Sequence, residues 1–181
     1  ALQHSTFLGG ASSDAVTDLD FGSGNSLYVL GFNFGGGFPL INAIDSTSAG
    51  GEITLSLLIS NAGGLFLSTY LGGSGMDQAL GLSVDPNGFV TIAGFAVSSD
   101  YPTTLSAQDR TQNGEADGIL TVVSPNLQKI VYSSYYGTSS SDAFYPLAKN
   151  AGLRTLMPGW ASSSGFPTSP GAYQNSWRDM A

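Results

Sequence analysis

The chain has no cysteine, one histidine, five basic residues and no apolar run long enough to cross a bilayer. Without cysteine there is no disulfide, no thiolate zinc site and no cysteine nucleophile, although no compartment is thereby named. A membrane-spanning helix needs roughly 18 consecutive apolar residues, so no span is expected. A Ser-His-Asp triad would have to recruit His4, whose counterparts in the repeat described below are Leu67 and Tyr132, residues suited to packing. The basic deficit is uneven. Residues 1–109 carry nine acids and no Lys or Arg, the first basic residue being Arg110. Nucleic-acid affinity comes largely from Lys and Arg on phosphate, so nucleic acid is excluded as a partner. Charged residues are 10 % of the chain, which leaves Gly, Ser and Thr to cover the surface, as in extracellular β-proteins. "ALQHSTFLGG" lacks the basic and apolar regions of a signal peptide, so an exported protein would be read here in processed form.

What is present is a repeat. Hydrophobic residues at 41 % suffice for a buried core, and the chain states one phrase three times: "STFLGGASSDAVTDLDF", "STYLGGSGMDQALGLSVDPNGF" and "SSYYGTSSSDAFYPLAKNAGL". Gly9, Gly72 and Gly137 are 63 and 65 residues apart, and other landmarks keep step. They are Asp14, Asp77 and Asp142; Gly31, Gly94 and Gly159; and the pairs Phe38-Pro39, Tyr101-Pro102 and Phe166-Pro167. Such a period signals stacked supersecondary units. Each unit reads as β. Leu80, Leu82 and Val84 alternate with small residues, "DPNG" turns the chain, and "FVTIAGF" returns it. A second hairpin follows in units one and two, "ITLSLLIS" with "LFLSTYL" and "GILTVVS" with "KIVYSSYY". No stretch sustains a 3.6-residue period. The expected fold is all-β, in three propeller-blade-like antiparallel sheet units of about 63–65 residues with almost no helix. The unit boundaries are 9–73, 74–138 and an incomplete 139–181, with 1–8 a terminal strand completing another unit.

"STYLGGSGMDQALGLSVDPNGFVTIAGFAVSSDYPTT" and "GFPTSPGAYQNSWRDMA" resemble the bacterial β-propeller repeat family known as SBBP, along nearly the whole chain and least in unit one. The resemblance implies an exported or surface-attached β-sheet protein and carries over no catalytic residue.

Residues 1–8 align with "GLFLSTYL", the last strand of a unit, and "WRDMA" aligns with "EADGI", the threshold of the strand before it. Closed propellers need about four to eight blades. The expectation is therefore that the terminal strand, with Leu2, His4, Thr6, Phe7 and Leu8, is donated to an acceptor around Trp177, Arg178, Asp179 and Met180 of another copy. Such a contact is heterologous and builds a filament unless it closes. Acidic first half against a tail holding Lys129, Lys149, Arg154 and Arg178 would orient the copies.

Asp14, Asp77 and Asp142 follow Gly/Ser loops, where Asp caps backbone N–H groups. Calcium is the sharper alternative, but no DxDxDG cluster surrounds them, and no other cofactor is expected. Glu52 and Glu115 stand at the entrance of the same repeated strand in this alignment. The aromatic-Pro pairs read as loop anchors, with a carbohydrate-stacking platform as the alternative. Ser98, Ser99, Thr103, Thr104, Ser162, Ser163, Ser164, Thr168 and Ser169 lie in Ser/Thr clusters beside proline and are candidate O-glycosylation sites. These readings converge on a non-enzymatic, extracellular or cell-surface subunit that polymerises with copies of itself. The alternative is a carbohydrate- or protein-binding surface module of a larger propeller.

Overall fold

The computed structural model describes residues 5–59, 64–145, 148–149 and 155–176. Among them the chain is all-β, with no helix. The first sheet contains β1 (Asp14–Phe21), β2 (Ser26–Asn33), β3 (Glu52–Ile59) and β4 (Gly64–Leu71), antiparallel and side by side in chain order. The second repeats that order with β5 (Asp77–Val84), β6 (Val90–Ala96), β7 (Asp117–Val123) and β8 (Ile130–Tyr136). β9 (Asp142–Phe144) pairs with β12 (Gly159–Ala161), and β10 (Ala148–Lys149) with β11 (Thr155–Leu156). Tyr145 N–H donates to Pro158 O at 2.8 Å between these two pairs, so together they form the hairpin expected to open unit three.

Turn residues make the meander possible. Gly24 (φ 65°) and Asn25 (φ 63°) are consecutive left-handed residues between β1 and β2, the conformation that a two-residue hairpin with right-handed twist requires. Between β5 and β6, Asp85 Oδ1 accepts the N–H groups of Asn87 and Phe89, both at 2.9 Å, and Gly88 supplies the positive φ.

The repeat extends to irregularities. β1 is bulged between Val16 and Asp18, and β5 between Ala79 and Gly81. β3 and β7 shift register at Leu57/Leu58 and Val122/Val123. These positions correspond between units, 63 apart in the first strand and 65 in the third. One expectation is corrected here: Glu52 opens β3, but β7 opens at Asp117, so the counterpart of Glu52 is Asp117 and not Glu115.

The long connection after the second strand turns back along the outer strand of its own unit. Ile41 bridges Ser68 and Asp45 bridges Tyr70 in the first sheet, while Thr104 N–H reaches Ser133 O and Tyr135 N–H reaches Asp109 O in the second. An edge that would otherwise recruit foreign strands is thereby covered. One core lies between the two sheets. Leu30, Ile53 and Leu55 from the first meet Ala79, Leu82, Ile92 and Ile119 from the second. β5 lies against β1, β2 and β3, and β9 against β6 and β7, so each unit is laid on its predecessor through its first strand.

Candidate functional site

Asp14, Asp77 and Asp142 each open the first strand of a unit. Each accepts the backbone N–H four residues earlier, from Gly10 at 2.7 Å, Gly73 at 2.8 Å and Thr138 at 2.6 Å. Asn33 Nδ2 donates to Asp14 Oδ1 at 2.6 Å, Ser98 donates to Asp77 through Oγ at 2.7 Å and N–H at 3.2 Å, and Thr138 Oγ1 to Asp142 at 2.8 Å. The three repeated aspartates thus cap the Gly/Ser loops that carry the chain from one unit to the next. Among the described residues, no group of three His, Cys, Asp or Glu side chains is placed to share a metal ion.

A second carboxylate stands beside two of these caps, which sequence reasoning missed because the repeat lengthens by two residues before it. Glu52 and Asp117, at the start of β3 and β7, are 1 % and 0 % exposed. Ala49 N–H donates to Glu52 Oε1 at 2.7 Å, and Asn113 N–H to Asp117 Oδ2 at 2.8 Å. The other oxygens, Glu52 Oε2 and Asp117 Oδ1, are closed to solvent and accept no hydrogen bond, as is Asp142 Oδ1. The repeated glycines make room for them. A Cβ on Gly72 would collide with Glu52 Oε2 and lie 3.2 Å from Asp77 Oδ2, and one on Gly137 would collide with Asp117 Oδ1. Burial chiefly raises the Glu52 carboxyl above its ordinary range, the Ala49 N–H opposing and Asp77 adding to the rise. Asp77 and Asp117 are raised for the same first reason, Ser98 and Asn113 respectively opposing.

The first two aromatic-Pro landmarks are held by a tyrosine from the fourth strand, while the Phe166 ring lies edge-on to Phe144. Tyr70 Oη accepts the Phe38 N–H at 3.0 Å. Tyr135 Oη accepts that of Tyr101 at 2.9 Å and donates to Ser98 O at 2.6 Å. Phe38 and Tyr101 are buried, so neither ring offers a stacking platform; among the described residues of the third unit, Tyr145, Trp160 and Tyr173 are the exposed aromatics. Among the candidate glycosylation sites, Ser98 is a correction. It is 2 % exposed and its hydroxyl is committed to Asp77. Ser163 Oγ donates to Thr138 Oγ1 at 2.7 Å, Ser162 Oγ to Ser141 O, and Thr104 Oγ1 to Ser133 O at 3.3 Å. Thr103 is half-buried, whereas Ser99, Ser164, Thr168 and Ser169 are exposed.

The first sheet has an open face. In the second, Val84, Val90, Val123 and Ile130 form a row across all four strands and belong to or pack against the core facing the first sheet. The same row in the first sheet is Phe21, Leu27, Leu58 and Leu65, and among the described residues no other sheet lies on that face. Phe21 is 70 % exposed and the other three are half-buried. On β1 the contrast continues: Val16 and Leu19 are 57 % and 51 % exposed where their counterparts Ala79 and Leu82 are 0 % and 4 %. The opposite side of β1 is engaged. Asp18 Oδ2 and Asp20 Oδ2 accept the N–H groups of Leu82 and Val84, both at 2.8 Å, while their Oδ1 atoms accept those of Leu19 and Phe21.

Of the strand-donor residues, Leu2 and His4 lie outside the described residues, as do the acceptor residues Trp177, Arg178, Asp179 and Met180. Residues 5–8 form no strand, and Phe7 is fully exposed. Among the described residues, no helix is long and apolar enough to cross a membrane. No protein-family model matches this chain, and no curated protein is found to match it.

Proposed function

We propose that the protein is a structural subunit of the extracellular or cell-surface kind, built of propeller-blade-like units, that associates head to tail with copies of itself. One observation carries this reading. The row Phe21, Leu27, Leu58, Leu65 is apolar and open at the positions where the second unit buries Val90 and Val123 and packs half-buried Val84 and Ile130 against the core it shares with its predecessor. A further unit of the same repeat, supplied by another copy, fits a face that the fold has already shown how to cover. The contact joins unlike ends and therefore propagates. Full exposure of Phe7 favours one addition, that residues 1–8 also bind the neighbouring copy as an extended segment.

The test is mass by light scattering across a concentration series, on the wild type and on Phe21→Asp. The wild type is expected to grow with concentration while Phe21→Asp, with an unchanged β-sheet circular dichroism spectrum, stays monomeric. A wild type that is monomeric throughout, or a Phe21→Asp protein that associates equally, overturns the reading. Deleting residues 1–8 separates the two modes: association that survives the deletion runs through the sheet face alone.

A further inference from the structure

Each passage from one unit to the next buries two acids together. Glu52 of the first unit and Asp77 of the second converge on the place a Cβ of Gly72 would take, and at the next junction Asp117 takes the same place at Gly137, with Asp142 of the third unit also buried. All four side chains are at most 1 % exposed, and three of their oxygens lack a hydrogen-bond partner. Ionised carboxylates left this way in an interior are costly unless something positive accompanies them.

Three things could do so. Among the described residues no Lys or Arg acts on them: the charges acting on Glu52 are Asp77 and Asp45, and those on Asp117 are Asp142 and Asp109. The other titratable groups facing the pairs are Tyr101, beside Asp77, and Tyr135, beside Asp77, Asp100 and Asp117, all acids. A calcium ion needs about six to eight oxygens at about 2.3–2.6 Å, but Asp77 has both oxygens taken by Gly73 and Ser98, and the orphan oxygens of Glu52 and Asp117 are packed against glycine. A proton needs no room. Placed on one carboxyl group, it turns an orphan acceptor into a donor aimed at the other.

We propose that the Glu52–Asp77 pair and Asp117 are proton-binding sites, each holding one proton that locks consecutive units together and is released as the medium becomes alkaline. The step is simple protonation from solvent: one O–H bond forms per site, and the Glu52–Asp77 pair keeps one negative charge. Glu52, Asp77 and Asp117 are raised in the folded chain, burial being the largest cause in each. The linked stability is therefore fully present below the ordinary carboxylate range, about pH 4, and is lost as pH rises through the raised values. The two junctions lie within one chain, so the lock stands or falls independently of self-association.

The experiment uses Glu52→Gln with Asp117→Asn, neutral replacements of similar shape that put an N–H donor where the proton would sit. Net charge is −8 at pH 7, so relief of self-repulsion stabilises wild type and variant alike in acid; the readout is the difference between them. From about pH 5 to about pH 8, the wild-type Tm is expected to fall more than that of the double variant, by roughly 3 °C or more. Infrared spectroscopy at about pH 5, just above the ordinary carboxylate range, is expected to show a protonated carboxyl C=O band in the wild type that the variant lacks. Parallel Tm curves, a variant that is less stable at about pH 8, or absence of the band in the wild type would each overturn the proposal.

Discussion

A methyl group on Gly72 has nowhere to go, because Glu52 Oε2 already occupies the place a Cβ would take. The backbone there is not in the left-handed region that would itself demand glycine, so the requirement comes from the neighbour. Gly72→Ala must push a buried carboxylate aside, and overpacking of this kind costs about 1–3 kcal/mol. Gly24 is the control: its φ of 65° makes alanine strained, yet nothing lies within 4 Å of its Cβ position. Urea denaturation is expected to show Gly72→Ala clearly destabilised in a Glu52 background and relieved in Glu52→Ala, a coupling that Gly24→Ala lacks. The sequence displays Gly9, Gly72 and Gly137 as landmarks but hides their reason. The residue that fills the space at Gly72 lies twenty positions earlier, on a strand whose repeat interval is 65 and not 63. Counting at 63 pairs Glu52 with Glu115 and passes over Asp117.

Strands and their edges explain how the units stay in line. β5 is the edge of its sheet, and an edge strand carries N–H groups with no partner in its own ladder. Two of them, on Leu82 and Val84, are taken by Asp18 and Asp20 of β1. Each of these carboxylates bridges the first strands of two units, since its second oxygen holds an N–H of β1 itself. Removing the bridge by Asp18→Ala leaves the Leu82 N–H without its acceptor, at a cost of about 1–2 kcal/mol. Amide hydrogen exchange is expected to accelerate at Leu82 while Ile119, on the interior strand β7, is unaffected; equal protection at Leu82 would mean that Asp18 does not hold the edge. The hairpins themselves were legible, because alternation along "LGLSV" and "FVTIAGF" and the "DPNG" turn are local signals, as is the pairing of strands separated by two to six residues. The aspartate bridge was not, since "VTDLDF" shows only alternating acids, and nothing in the string says that a strand 64 residues on supplies the donors.

At the scale of the whole molecule, the open row on the first sheet was invisible for a related reason. Phe21, Leu27, Leu58 and Leu65 are scattered over 45 positions and become one row only through the register of four strands. Their counterparts being packed into the core in the second unit, Val90 and Val123 fully buried and Val84 and Ile130 half-buried, gives the row its meaning, and it sets an expectation about salt. The row contains no charge, whereas each copy carries a net charge of −8 at pH 7, so two copies that meet repel one another over a Debye length of about 8 Å at physiological ionic strength. Head-to-tail attraction between the acidic first half and the basic residues of the second would work the other way, and would be weakened by screening. Association through the apolar face is therefore expected to strengthen when sodium chloride is raised from about 0.01 M, where the Debye length is about 30 Å, to about 0.15 M. Sedimentation equilibrium at both concentrations decides between them. A rise in average mass with salt marks the sheet face as the driving contact, while a fall assigns it to charge and leaves the Phe21 row a passive surface.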